Sequence, residues 1–119
     1  MNVVDSSAWL EYLTGTDRAE LFAEVIEDSG NLIVPAISIY EVYKKVLWER
    51  GEDMAAQVFG LMNLGRVVEL DATLALEAAR LPLPMADSII YATALRHDAT
   101  LWTQDAHFEG IQGVRYFRK

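Results

Sequence analysis

Leu81-Pro82-Leu83-Pro84-Met85-Ala86-Asp87-Ser88-Ile89-Ile90-Tyr91-Ala92-Thr93-Ala94-Leu95 reads as a helix entered through two prolines and ending near His97. Pro84 suits a first helical turn, where its missing N–H would be unpaired anyway. Ile89, Ile90, Ala94 and Leu95 then give an apolar face, and the small residues allow close packing. Asp87 sits in the first turn. Its ordinary use is to offset the positive end of the helix dipole, worth about 0.3–1 kcal/mol. Its other reading is as the hub of a metal site, and the rest of the chain decides between the two.

Downstream, residues 100–102 predict a strand broken by Thr103-Gln104-Asp105, 108–113 a turn region, and 114–117 a last, edge strand. Upstream, 67–70 predicts a strand, after which Asp71 and Thr73 cap a helix over 72–81. The apolar run 32–34 has the form of a strand buried on both faces, ended by Pro35. The helix over 37–49 has Ser38 and Glu41 at capping-box spacing, and another helix covers 54–63. The chain opens with a short strand, 2–4, that breaks at Asp5-Ser6-Ser7, three strong cap residues, before a helix over 8–13. A further helix spans 18–28, with Leu21, Phe22, Val25 and Ile26 on one face. Helices alternating with short strands predict an α/β fold with a mainly parallel sheet.

The 119 residues suit one domain, 1–119, able to bury about two-thirds of its unfolded surface. The absence of cysteine excludes disulfides, thiolate metal sites and a cysteine nucleophile. No apolar run approaches the roughly 20 residues of a membrane span. Met1-Asn2-Val3-Val4-Asp5 has no signal-peptide shape, so a cytoplasmic location with no membrane partner is expected. The net charge of −8 has the wrong sign for a nucleic-acid binder. Such a role would have to rest on a local basic patch, a partner or bound cations.

Four acids fall where a parallel sheet gathers ligands. Asp5 follows the first strand, Glu41 lies early in the helix after the second, and Asp105 follows the fourth. All three belong to the edge where strands end. Asp87 opens a helix antiparallel to the strands, whose start would normally lie at the opposite edge, and periodicity does not settle its place. Each acid also has a local use: a cap for Asp5, a capping box or a pairing with Lys45 for Glu41, a turn for Asp105. Crowded carboxylates repel and stay partly protonated unless a cation neutralises them. An oxygen-only ligand set selects hard Mg²⁺ or Mn²⁺.

Val4-Asp5-Ser6-Ser7-Ala8-Trp9-Leu10, Pro35-Ala36-Ile37-Ser38-Ile39-Tyr40-Glu41, the stretch around Asp87, and Ala99-Thr100-Leu101-Trp102-Thr103-Gln104-Asp105-Ala106-His107-Phe108 together resemble the four acidic motifs of PIN domains. The likeness is to the VapC-like toxin ribonucleases of toxin–antitoxin pairs. The resemblance implies a three-layer α/β/α fold on a five-stranded parallel sheet. It also implies a Mg²⁺- or Mn²⁺-dependent endoribonuclease with RNA as substrate and an antitoxin protein as partner. Asp5, Glu41, Asp87 and Asp105 carry over as the catalytic and metal-binding acids, held in one pocket, with Ser7 and Thr103 as supporting polar groups. Trp102 departs from the pattern, standing where a small aliphatic is commoner. Arg96, Arg115, Arg118 and Lys119 are the basic candidates for RNA, although a solvated surface accounts for them as well.

The alternative is a non-catalytic PIN-like module that binds RNA or protein. A third reading, an aspartyl phosphate on Asp5, is disfavoured because Ser7 stands two residues on, where that chemistry uses an acid. His97 is expected to meet the carbonyls ending its helix, and His107 adds nothing that four acids lack. Trp9, Tyr12, Tyr40, Tyr43 and Trp48 are mostly core by default, the alternative for some of them being a dimer or antitoxin surface. Apolar residues on both sides of the third and fourth helices, Trp48 among them, predict a homodimer.

Overall fold

The computed structural model describes every residue from Met1 to Lys119. Five strands, β1 (Asn2–Val4), β2 (Leu32–Pro35), β3 (Arg66–Val68), β4 (Thr100–Thr103) and β5 (Val114–Tyr116), form one sheet in the order β3-β2-β1-β4-β5. Every pairing is parallel. Six helices flank the sheet: α1 (Ser6–Thr14), α2 (Glu20–Glu27), α3 (Ala36–Arg50), α4 (Glu52–Met62), α5 (Ala72–Ala79) and α6 (Met85–Arg96).

Alternation along the strands divides the core in two. Val4, Leu32 and Val34 pack with Trp9 and Phe22 of α1 and α2, and with Val42 and Met62 of α3 and α4. Val3, Ile33 and Leu101 face the other way, onto Ile90, Tyr91 and Ala94 of α6 and onto Phe108. Leu74 and Ala78 of α5 pack on Ile89 and Ala92 of α6. Four helices thus cover one face and two the other.

The chain builds β1, β2 and β3 outward in one direction, then crosses back to place β4 on the other side of β1. The order reverses between β1 and β4, and their ends border a crevice of the kind where open α/β sheets bind ligands. Val4 pairs in register with Trp102, so Asp5 and Thr103 leave the sheet side by side.

Asp87 is not at the opposite edge. Only residues 97–99 separate the end of α6 from the start of β4, with Asp98 turning in the left-handed region at φ 50°. The end of α6 therefore lies where β4 begins, and its start lies where the strands finish. A helix antiparallel to the strands must open at their C-terminal edge, which corrects the sequence-based placement.

Other boundaries move for local reasons. α1 starts at Ser6 rather than residue 8. The expected helix over 18–28 divides into a 3-10 turn, Asp17–Ala19, and α2. β3 ends at Val68, opposite Pro35, short of the expected 67–70. Gly65 enters β3 so close to β2 that a Cβ there would stand 2.9 Å from Val34 Cγ2. Asp71 caps α5 as expected, accepting from the Leu74 N–H at 2.8 Å. The ring of Trp102 fits by stacking on Phe117 at 5.9 Å and donating from its indole N–H to Asn2 Oδ1. No helix is long and apolar enough to cross a membrane.

Candidate metal centre

Asp5 occupies the N-cap position of α1 but makes no side-chain cap bond. Its carboxylate is instead buried in the crevice. Ser7 Oγ donates to Asp5 Oδ2 at 2.6 Å and Thr103 Oγ1 donates to the same oxygen at 2.8 Å, so neither hydroxyl engages Oδ1. Burial pushes the Asp5 pKa up against those two donors, and the nearby Asp105 charge adds to the rise. Thr103 Oγ1 also accepts from the Asp105 N–H at 2.9 Å, so one hydroxyl ties Asp5 to the loop that carries Asp105.

Asp105 Oδ1 accepts from the His107 N–H at 2.9 Å, capping a 3-10 turn, Ala106–Phe108. This turn swings the His107 ring back over the acids. Its Nδ1 lies 2.9 Å from Asp105 Oδ1 and 2.9 Å from Asp87 Oδ2. The two carboxylates, Asp105 foremost, hold the imidazole above its ordinary pKa. Asp87 is pushed up to about 6, chiefly by burial, then by the charges of Asp105 and Asp5, with His107 opposing. Asp87, Asp105 and His107 each offer a ligand atom within 4.8 Å of the others.

Glu41 completes the group from α3. Ser6 Oγ donates to Glu41 Oε1 at 2.6 Å. Burial raises its pKa first, then the charges of Asp5 and Asp105. The capping-box reading fails because α3 starts at Ala36, which leaves Ser38 buried inside the helix with its hydroxyl unpartnered. Lys45 pairs with Glu49 and not with Glu41.

The structure therefore brings Asp5, Glu41, Asp87 and Asp105 to one crevice, with Ser7 and Thr103 on Asp5. Sequence reasoning missed Ser6 and set His107 aside. Ser6 holds Glu41, and adjacent serines cannot be told apart without the helix phase. His107 bridges two of the acids; its position two residues after Asp105, in a turn-forming stretch, was the available signal. His97 also differs from expectation, since its ring Nε2 is buried without a partner. Of the basic candidates, Arg96 is tied to Asp71 and Glu77, Arg118 to Glu109, and Arg115 lies over the Trp102 ring.

A nitrogen and carboxylate cluster at a sheet switch point is suited to holding a divalent cation. Known folds agree with the architecture. A toxin–antitoxin complex from Klebsiella pneumoniae superposes with a TM-score of 0.81 at 21% identity, covering 97% of this chain and 96% of that one. The sarcin–ricin-loop-cleaving VapC toxin of Mycobacterium tuberculosis gives 0.75 at 15% identity, over 94% and 95%. A DNA-bound VapBC from Salmonella typhimurium gives 0.75 at 16%, over 98% and 96%. No curated protein matches in sequence. Residues 3–114 match the PIN domain, and the chain belongs to that family.

Proposed function

We propose that this PIN-domain protein is a metal-dependent endoribonuclease, the toxin of a toxin–antitoxin pair, with Asp5, Glu41, Asp87 and Asp105 as its catalytic acids. The observation that carries the reading is the gathering of four carboxylates from four separate chain segments, three of them shifted upward in pKa by burial and mutual repulsion. Such a cluster costs stability unless a cation offsets it.

The donor set fits Mg²⁺ or Mn²⁺, which prefer carboxylate oxygen. Asp87 and Asp105 would hold the ion, with His107 beside them and Asp5 and Glu41 within electrostatic reach. When bound, the metal supplies orientation of the attacking water and offsets charge on the phosphodiester. The side chains do the rest. Ser7 and Thr103 fix the Asp5 carboxylate, and Ser6 fixes Glu41. Glu41, raised by burial and by the Asp5 and Asp105 charges, accepts a proton more readily than an ordinary carboxylate.

Relatives of the fold occur in complexes with antitoxins, which supports an antitoxin partner here. A homodimer is supported by α3 and α4. Contrary to the core assignment, Tyr40 and Trp48 are exposed, Trp48 by 81%, and with Phe59 they border an open apolar cavity of about 580 Å³. Trp9 is buried as expected.

The test is incubation of the protein with single-stranded and structured RNA in Mg²⁺, Mn²⁺ or EDTA. Internal cleavage in either metal and none in EDTA is expected. RNA that is bound but intact in both metals would move the protein to the non-catalytic reading.

A further inference from the structure

Ten basic residues stand against 18 acids. At physiological ionic strength charges are screened over about 8 Å, so the attraction that brings RNA to an acidic crevice must come from cations beside it. Four of the ten are engaged elsewhere. Arg96, Arg115 and Arg118 are held as described, and Arg18 turns inward onto Gln104 Oε1 and the Phe117 carbonyl.

Lys45 and Lys119 differ. With Ser7, Glu11 and Gln104 they line one open groove of about 270 Å³. Each of its walls leads to one acid. Ser7 donates to Asp5, Gln104 immediately precedes Asp105, and Lys45 stands one helical turn beyond Glu41 on α3. Through these three residues the groove lies beside the candidate metal centre. Its one acid, Glu11, is engaged by Gln104 Nε2 at 2.9 Å and lies 3.8 Å from Arg18, which offsets its charge. Lys45 meets Glu49 at 3.0 Å, but both side chains are half exposed, and such a pair is readily exchanged for a phosphate.

We propose that this groove positions single-stranded RNA, Lys45 and Lys119 each taking a backbone phosphate next to the bond presented to the acids. The identity of the ligand rests on the nuclease reading above; the charge and shape of the groove do not. Ammonium groups take phosphates as point charges, and the groove's two lysines stand beside the acids that would receive the bond. Leu10 is the groove's one apolar residue, which leaves little to seat an amphipathic peptide.

The test is fluorescence anisotropy of a short labelled single-stranded RNA with the full chain in EDTA, across a KCl series. Each neutralised phosphate contributes about 0.7 to the slope of log affinity against log salt. Lys45→Gln and Lys119→Gln should each lower the slope by about 0.7, and together by about 1.4. Arg80→Gln, on an exposed helix end, should leave it unchanged, and Lys45→Arg should restore it. An unaltered slope in the double variant overturns the proposal, as does equal competition by polyglutamate, which would assign the groove to an acidic peptide. Cleavage by the wild type in Mn²⁺ is measured in parallel. Cleavage with an unaltered slope overturns the groove alone; a lost slope without cleavage upholds the groove and removes the nuclease.

Discussion

The His107 imidazole stands between two carboxylates, its Nδ1 2.9 Å from both Asp87 Oδ2 and Asp105 Oδ1. A protonated ring there competes with a divalent cation for the same two oxygens. Metal binding should therefore release protons and strengthen as pH rises past the imidazole's raised pKa. Titration calorimetry of Mn²⁺ in buffers of different ionisation enthalpy checks this. Equal heats in all buffers would show that no proton leaves.

The metal-free protein should show an inverted acid profile. Asp87 has a folded pKa of about 6 against an ordinary 3.8, so between those values the folded state binds more protons than the unfolded one. Stability then falls as pH rises through that window, by about 1.4 kcal/mol for each pH unit of full displacement. Asp5 and Glu41, also raised, push the same way. His107, raised as well, extends the loss above its unfolded pKa. Urea unfolding in EDTA from pH 4 to 7 measures the slope, and Asp87→Asn should flatten it. A stability that climbs across this window in the wild type would contradict the electrostatic account.

Thr103 should matter more than its size suggests. Its buried hydroxyl donates to Asp5 and accepts from the Asp105 N–H. Thr103→Val keeps the shape but leaves both groups short of a partner, a loss of about 1–3 kcal/mol. Chemical denaturation at pH 7 reads it directly. A change within experimental error would show that the hydroxyl bridge holds nothing in place.

In solution the protein should be a dimer at micromolar concentration, and Trp48→Glu should convert it to a monomer, because Trp48 is exposed beside a broad apolar cavity. Light scattering decides it. A monomeric wild type would free the α3–α4 face from this role.

Much of the fold is legible in the sequence because its strands are short apolar runs and its helices carry one-sided apolar periodicity. All five strands and six helices follow from that alternation, with shifts of a few residues at their ends. What local pattern cannot carry is direction and phase. Periodicity leaves the edge of Asp87 open because the start of an antiparallel helix is fixed by where the next strand begins. Ser6 and Ser7 look alike in sequence, yet the first turn of α1 sends one to Glu41 and the other to Asp5. The Ser38–Glu41 spacing suggests a box, but the helix starts two residues before Ser38, and Glu41 reaches across to another element. His107 looks redundant until the 3-10 turn folds it back.

Whether the four acids serve metal-dependent cleavage or only cap helices decides what the crevice does. This is tested by measuring RNA cleavage in Mn²⁺ beside thermal unfolding in EDTA for the wild type, Asp5→Asn and Asp87→Asn. An amide keeps the volume but removes the charge that a hard cation needs. Both variants should lose cleavage while their metal-free stability is unchanged or higher, since a repelling charge is gone. If Asp87 only served the helix dipole, Asp87→Asn would cost about 0.3–1 kcal/mol and spare activity. Full cleavage by either variant would contradict the account.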